Sequence, residues 1–408
     1  VSWLYRSPRV WPLLFLGFGS GLPLALTSTT LQAWVTVAEV PLTQIGFLTL
    51  VGSAYTLKFL WAPLLDRFQL PFLGRRRGWM AATQLGLGAS IFAMGWFSPS
   101  SQLGVLSLLA VWVAFLSATQ DIAFDAYSTD VLRSDERAAG AAVRVLGYRL
   151  AMIVSSGLAL VLAEHWLGWP GTYMLMGLLM GSVAIFTLLA PEPEELGRAP
   201  QTLRAAVVEP LIDFFERPGA WAFLWLIVLY KLGDAFAGAL STTFLLRGAG
   251  FTMSQVGTIN NVFGLLATIV GALLGGVLMA RLGMYRALMS FGILQAVSNF
   301  GYWLITVWPD QLILMGSVVA IENLCGGLGT AAFVAFLMAL CRQDFSATQF
   351  ALLSALAAVG RTYLAGPVTP LLVGWLGWGP FFLGTVVIAL PGLLLLRLKK
   401  KEIQALGR

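Results

Sequence analysis

The chain has 408 residues, of which 58% are hydrophobic and only 11% charged, and its mean hydropathy is +0.82. Soluble domains run at about 45–50% and 25%, so a water-soluble enzyme or binding module is excluded and a polytopic membrane protein is expected. The net charge of +6 and the pI near 9.5 do not point to nucleic acid, because the basic residues stand at the ends of apolar runs instead of forming a water-facing patch beside stacking aromatics.

Runs of about 20 apolar residues, long enough to cross a hydrocarbon core, fall at 11–37, 43–63, 79–97, 103–131, 139–163, 169–190, 219–245, 254–280, 287–307, 311–340, 347–375 and 378–396. They predict an all-α fold of about twelve transmembrane helices. Arg6 and Arg9 lead straight into the first run, which is too long for a signal-peptide core, so no cleavable leader is expected.

The second span carries Lys58 and ends on Asp66 and Arg67, ahead of Gly74-Arg75-Arg76-Arg77. The fourth holds Asp121 and Asp125, four residues apart and therefore on one helix face, with Asp130 near its end. A charged residue at the centre of a membrane helix costs about 2.5–3.5 kcal/mol on insertion scales and so marks a partner, a watery cavity or a transport path. Asp121 and Asp125 are accordingly proton-carrier candidates, the deeper acid passing a proton towards the cytoplasm. The alternative is a static ion pair with Arg144 or Arg149 of the fifth span.

The longest polar break, around PEPEELGRAPQ, divides the chain into residues 1–192, a linker 193–218 and residues 219–408. Within the linker, Leu203 to Phe215 has apolar residues at helical spacing and predicts a short surface helix. Lys231 and Asp234 follow in the seventh span, three apart and able to pair; the lysine is about 18 Å from the start of its span by helix rise. It is a candidate for meeting a substrate anion, or for a permanent pair with Asp234. Asn260 and Asn261 form an amide pair in an apolar eighth span and want a hydrogen-bonding ligand. Gly271 and Gly275 are spaced for close helix packing. Glu322 and Arg361 lie in the tenth and eleventh spans. Tyr127 and Tyr230 are aromatic candidates for stacking on a sugar ring.

Sorting Lys and Arg by side leaves 19 of the 25 on the face that holds both termini, and only Arg247 opposite. The positive-inside rule then places both termini in the cytoplasm. The halves also repeat: Ser28-Thr29-Thr30 as Ser241-Thr242-Thr243, Thr43-Gln44-Ile45-Gly46 as Ser254-Gln255-Val256-Gly257, and Gly147-Tyr148-Arg149 as Gly360-Arg361. Near-constant spacing argues for duplication of a six-helix unit, the pattern of the major facilitator fold. Spans 3, 6, 9 and 12 are free of Asp, Glu, Lys and Arg, as lipid-facing supports would be.

Gly17 to Leu24 in span 1, Lys58-Phe59-Leu60-Trp61-Ala62-Pro63 with Asp66-Arg67, and Gln120-Asp121-Ile122-Ala123-Phe124-Asp125-Ala126-Tyr127 resemble the AmpG-type muropeptide permeases of the major facilitator superfamily. The resemblance runs through all twelve spans. It implies a symporter of the bacterial inner membrane that imports N-acetylglucosaminyl-1,6-anhydro-N-acetylmuramyl peptides for peptidoglycan recycling. The proton gradient would be its driving force, with no cofactor, and it would work as a monomer. Acetyl-CoA transporters look similar around Gln120 to Ala123, which keeps an organic-anion carrier as the alternative. On this resemblance Asp66 and Arg67 belong to a gating loop, and Arg149 and Arg361, at matching positions of the halves, would clamp the carboxylates of the peptide stem across the pseudo-twofold axis. The competing reading has each arginine neutralise an acid, Asp121 and Glu322. Lys58, Asp234 and Glu322 are further candidates for cavity charges. With no metal-ligand cluster and a single histidine, His165, metal chemistry is not expected.

Overall fold

The computed structural model describes residues 7–67, 73–132, 136–193, 212, 215, 216, 219–341 and 346–406. Away from water a backbone must satisfy its own hydrogen bonds, which in an apolar chain leaves helices as the solution. Among the described residues the only regular elements are helices. They are α1 (Pro12–Val37), α2 (a chain of short helical pieces over 42–67), α3 (Arg75–Met94), α4 (Pro99–Val131), α5 (137–165) and α6 (Gly168–Leu189). After them come α7 (Ala220–Gly248), α8 (Met253–Leu282), α9 (Met284–Val307), α10 (Leu312–Ala339), α11 (346–376), α12 (Trp378–Leu398) and a short α13 (Lys400–Leu406).

Ten of these are long and apolar enough to cross a bilayer. The two expected spans that fall short are α2, which is broken into pieces, and α3, whose first turn is Arg75, Arg76 and Arg77. The surface helix expected over Leu203 to Phe215 lies outside the described residues, apart from Ile212 and Phe215.

The helices form two compact units, residues 1–40 with 51–201 and residues 41–50 with 202–408. Unit 1 packs around Leu13, Leu16, Met80, Phe124, Tyr127 and Val183, and unit 2 around Leu226, Ile227, Phe291, Phe333 and Phe336. Large side chains such as Leu178, Leu273 and Val387 stay exposed on outward faces, which lipid would cover. The first piece of α2, Leu42–Leu48, packs with α11 in the second unit. Here Gly46 lies against Pro370, and the Thr49 hydroxyl donates to the Gly46 carbonyl at 2.7 Å.

The internal repeats mark places where helices break. The first half of α1 ends at Thr27, whose amide bonds back to the Pro23 carbonyl at 3.1 Å, and the helix restarts at Thr29. Pro23, having no N–H, already omits the ladder bond to Gly19 one turn earlier. The equivalent break in α7 falls at Leu240, just before Ser241-Thr242-Thr243. The repeated Gln-Ile/Val-Gly segment opens α2 and α8, the latter with a capping box between Thr252 and Gln255. The Gly-Tyr-Arg repeat precedes a widened π-helical turn at Ile153–Leu158 in α5 and sits inside one at Gly360–Ala365 in α11; such turns gather at functional sites.

Gly283 (φ 78°) and Gly377 (φ 77°) each join two helices through a single residue in a conformation that L side chains resist. In α8, a Cβ on Gly271 would strike the Leu324 carbonyl and one on Gly275 would press on Leu328 at 3.0 Å. Gly271→Leu is therefore expected to destabilise unit 2 by about 3 kcal/mol through overpacking, read as a lowered melting temperature in detergent; Gly276→Leu, with open space around its Cβ position, serves as the control.

Candidate functional site

In unit 1 the charges gather where α4 faces α1, α2 and α5. Asp125 forms an ion pair with Arg144, and Lys58 Nζ lies 3.9 Å from its other oxygen. The Arg144 guanidinium also sits 4.7 Å over the Phe124 ring, and side-chain exposures of 47% for Asp125 and 35% for Arg144 leave this group accessible. One turn away, Asp121 accepts a hydrogen bond from Ser20 Oγ at 2.5 Å. Close α1–α5 packing holds the arrangement together, with Gly17 and Gly21 under the backbones of Arg144 and Tyr148. Lys58 reaches the cluster because α2 tightens into a 3₁₀ turn at Lys58–Leu60, beside Trp61, whose Nε1 donates to Thr119 Oγ1 at 3.1 Å.

Arg149, one turn before the widened segment of α5, is half-buried and has neither hydrogen bond nor ion pair among the described residues. The pairing with Asp121 entertained from the sequence is not formed; Asp121 takes its hydrogen bond from Ser20 instead.

In unit 2, α7 breaks at Lys231 (φ −94°, ψ −2°), between Ala220–Tyr230 and Leu232–Ala239. The break directs Nζ to Thr330 Oγ1 at 3.2 Å, with Asp234 at 3.9 Å and the Phe333 ring centre at 5.8 Å. Lys231 and Asp234 thus form the expected i,i+3 pair, loosely. Glu322 accepts from Asn323 Nδ2 at 2.9 Å and from Tyr302 Oη at 3.5 Å. Arg361 is exposed and, like Arg149, has no partner among the described residues, so its pairing with Glu322 is also not formed. Asn260 and Asn261 lie in a widened turn of α8, Val256–Phe263, where Asn260 Nδ2 donates to Asn261 Oδ1 at 3.0 Å.

The two sugar-stacking candidates, Tyr127 and Tyr230, pack against neighbouring segments. Tyr127 is fully buried and donates to the Pro191 carbonyl at 2.8 Å. Tyr230 donates to the Leu288 carbonyl at 2.8 Å and stacks on Phe333. Burial explains both: a tyrosine in a greasy helix needs an acceptor for its hydroxyl, and a backbone carbonyl of a neighbouring segment supplies it. Tyr127→Phe is expected to cost about 1 kcal/mol and lower the melting temperature by about 1–3 °C, with uptake unchanged.

Of Asp66 and Arg67 only the backbone, the last turn of α2, is described. Nearby, Arg77 caps the C-terminus of α6 by donating to the carbonyls of Thr187 (3.1 Å) and Leu188 (2.7 Å), and Arg76 pairs with Asp130 at 3.3 Å. Sequence reasoning passed over Ser20, Thr330, Tyr302 and Asn323. Each is a polar residue inside an apolar span, a signal that was present but gave no hint of which acid or amine it would meet.

A helical, membrane-spanning chain whose intramembrane charges are held on broken and widened helix segments is a membrane transporter, and not an enzyme. Residues 13–365 match the Major Facilitator Superfamily, and the chain belongs to that superfamily, in the family of the anhydromuropeptide permeases. It is 59% identical to the anhydromuropeptide permease of Escherichia coli (strain K12), over 98% of this chain and 82% of that one. A Rickettsia felis protein designated AmpG 4 is 31% identical, over 99% of both chains. Among solved structures, a bacterial homologue of the human lysosomal transporter Spinster, inward-facing and unoccupied, superposes with a TM-score of 0.75, covering 100% of this chain and 98% of that one at 14% identity; at that identity the likeness concerns the fold.

Proposed function

We propose that this chain is a proton-coupled symporter importing GlcNAc-1,6-anhydroMurNAc peptides by alternating access across the bacterial inner membrane, with both termini cytoplasmic, acting as a monomer and without a cofactor. The six-helix halves 1–192 and 219–408, joined by the linker, are its moving parts. The observation that carries this reading is the pair Arg149 and Arg361, at repeated positions of the two halves, each without an ion-pair partner among the described residues. An arginine kept unpaired inside a membrane protein demands an anion, and a muropeptide stem offers carboxylates that match the guanidinium fork. The 59% identity to a permease for anhydromuropeptides supports the substrate class.

Asp125, between Arg144 and Lys58, is the acid best placed to exchange proton and cation partners, and Asp121 is its relay. Protonation would free Arg144 and Lys58 and so bias the balance of outward- and inward-open states. The test is uptake of labelled anhydromuropeptide into proteoliposomes. Accumulation driven by an imposed proton gradient and abolished by a protonophore is expected; accumulation indifferent to the protonophore overturns proton coupling. Competition by coenzyme A esters but not by anhydromuropeptides overturns the substrate.

A further inference from the structure

Three polar residues of α9, Gln295, Asn299 and Tyr302, are spaced i, i+4, i+7 and so form one stripe. The stripe faces α10. At one end Tyr302 Oη is 3.5 Å from Glu322, and at the other the Gln295 amide lies beside Gly326 and Gly329. Gly329 neighbours Thr330, which binds Lys231 Nζ. Asn299 stands between these anchors, with 0% exposure and with neither side-chain atom hydrogen-bonded among the described residues; Gln295, at 4%, leaves Nε2 unpartnered. A buried amide without a partner costs about 1–3 kcal/mol, and α9 otherwise supports the bundle with apolar packing. Buried polar groups left without a protein partner are where a protein holds water.

Glu322 itself is unlike the acids of unit 1. Asp125 has two cations within 4.0 Å, whereas among the described residues Glu322 has none and is held by neutral donors, Asn323 and Tyr302. The charged groups acting on it stand further off: Asp234 and Lys231 from α7 and Arg361 from α11. Tyr302 of α9 and Cys325 of its own helix are the other titratable groups beside it, while α8 contributes the neutral Thr268, bonded to Asn323 at 3.0 Å. A carboxyl whose direct contacts are neutral donors can gain and lose charge without breaking an ion pair; Asp125 would break one, at a cost that its own exposure and that of Arg144 moderate.

We infer that Glu322 is a second proton carrier, in unit 2, reached through water held along Gln295 and Asn299. It deepens the proton-symport reading and rests on it. In the step itself the carboxylate takes a proton from a hydronium ion delivered along the water held at Asn299, leaving a neutral acid and a water molecule, and later returns the proton to a water molecule on the other side. No substrate bond is made or broken. Arg361 and Lys231 are then left to the substrate anion, and proton and substrate occupy separate parts of unit 2.

The test compares wild type, Glu322→Gln, Glu322→Asp and Asn299→Leu, purified at full length and reconstituted with labelled GlcNAc-anhydroMurNAc tripeptide. Two readouts are taken: accumulation against an imposed gradient of one pH unit, and substrate counterflow at equal pH. Glu322→Gln is expected to lower accumulation about tenfold, the factor one proton carries per pH unit, with counterflow within about twofold of wild type. Glu322→Asp should recover accumulation, and Asn299→Leu should slow gradient-driven entry severalfold at unchanged counterflow. Wild-type accumulation in Glu322→Gln overturns the assignment, and so does equal loss of accumulation and counterflow in a protein with an unchanged melting temperature, which would make Glu322 a binding residue. Asn299→Leu that transports as wild type overturns the water route. A wild type that does not respond to the gradient at all fails the symport reading itself, a result distinct from any of these.

Discussion

Asp121→Asn with Asp125→Asn is expected to abolish concentrative uptake while leaving the protein folded in the membrane. The reason lies in the cluster on α4. Asp125 balances Arg144 and Lys58, and only a group that gains and loses charge can link those cations to the proton gradient. An amide at 125 keeps the shape and removes the charge. Each charge moved across 100 mV is worth about 2.3 kcal/mol, so the loss of one coupled proton lowers the steady-state accumulation ratio by about fiftyfold. The stability cost is smaller. Both Asp125 and Arg144 are more than a third exposed, so the unpaired cations are screened and the melting temperature should fall by about 1 kcal/mol equivalent. Initial-rate and steady-state uptake in proteoliposomes, beside a thermal melt, separate the two effects. Retained accumulation in the double variant would move proton coupling out of unit 1 altogether.

Arg361→Gln is expected to raise the KM for anhydromuropeptide by about 10- to 100-fold, from the 1.5–3 kcal/mol that a hydrogen bond to a charged group contributes. Arg149→Gln should act in the same direction. Lysine at either position should recover little, since a point charge cannot reproduce two parallel N–H···O contacts. Because neither arginine has a hydrogen-bond or ion-pair partner among the described residues, its removal breaks no direct pair, and the melting temperature should hold or rise. That combination, weaker binding with unimpaired stability, is what separates a ligand-binding arginine from a structural one. Removing the stem carboxylates from the substrate should weaken wild type by a similar factor and the variants far less. Equal KM values for wild type and both variants would remove the arginines from the site.

How much of the site was legible beforehand depends on what each residue asks of its surroundings. Asp121, Asp125, Arg149, Lys231, Glu322 and Arg361 stand out in the chain because an ion in lipid is costly wherever it points. Tyr127 and Tyr230 were legible as polar residues in greasy helices, but not that their hydroxyls donate to the Pro191 and Leu288 carbonyls, because a carbonyl satisfies a hydroxyl as well as a sugar does. The identity of partners was not legible. Arg144 and Arg149 are five residues apart on one helix, and only the tertiary packing of α5 brings the first to Asp125 and leaves the second without an ion pair among the described residues.

By itself the amino-acid order determined the class, the number of spans to within the two that fall short, and the duplication, all of which follow from one-dimensional properties: apolar length, charge position and repeat spacing. Tertiary structure decided what those properties cannot encode. It placed residues 41–50 with unit 2, broke α7 at Lys231, gave Glu322 the neutral donors Asn323 and Tyr302, and left Asn299 buried without a hydrogen bond among the described residues. Hydrophobicity sorts residues between lipid and protein but does not tell one protein neighbour from another. That distinction arises only when helices meet in a particular register, where a shift of one residue turns a side chain by 100° and exchanges its partner.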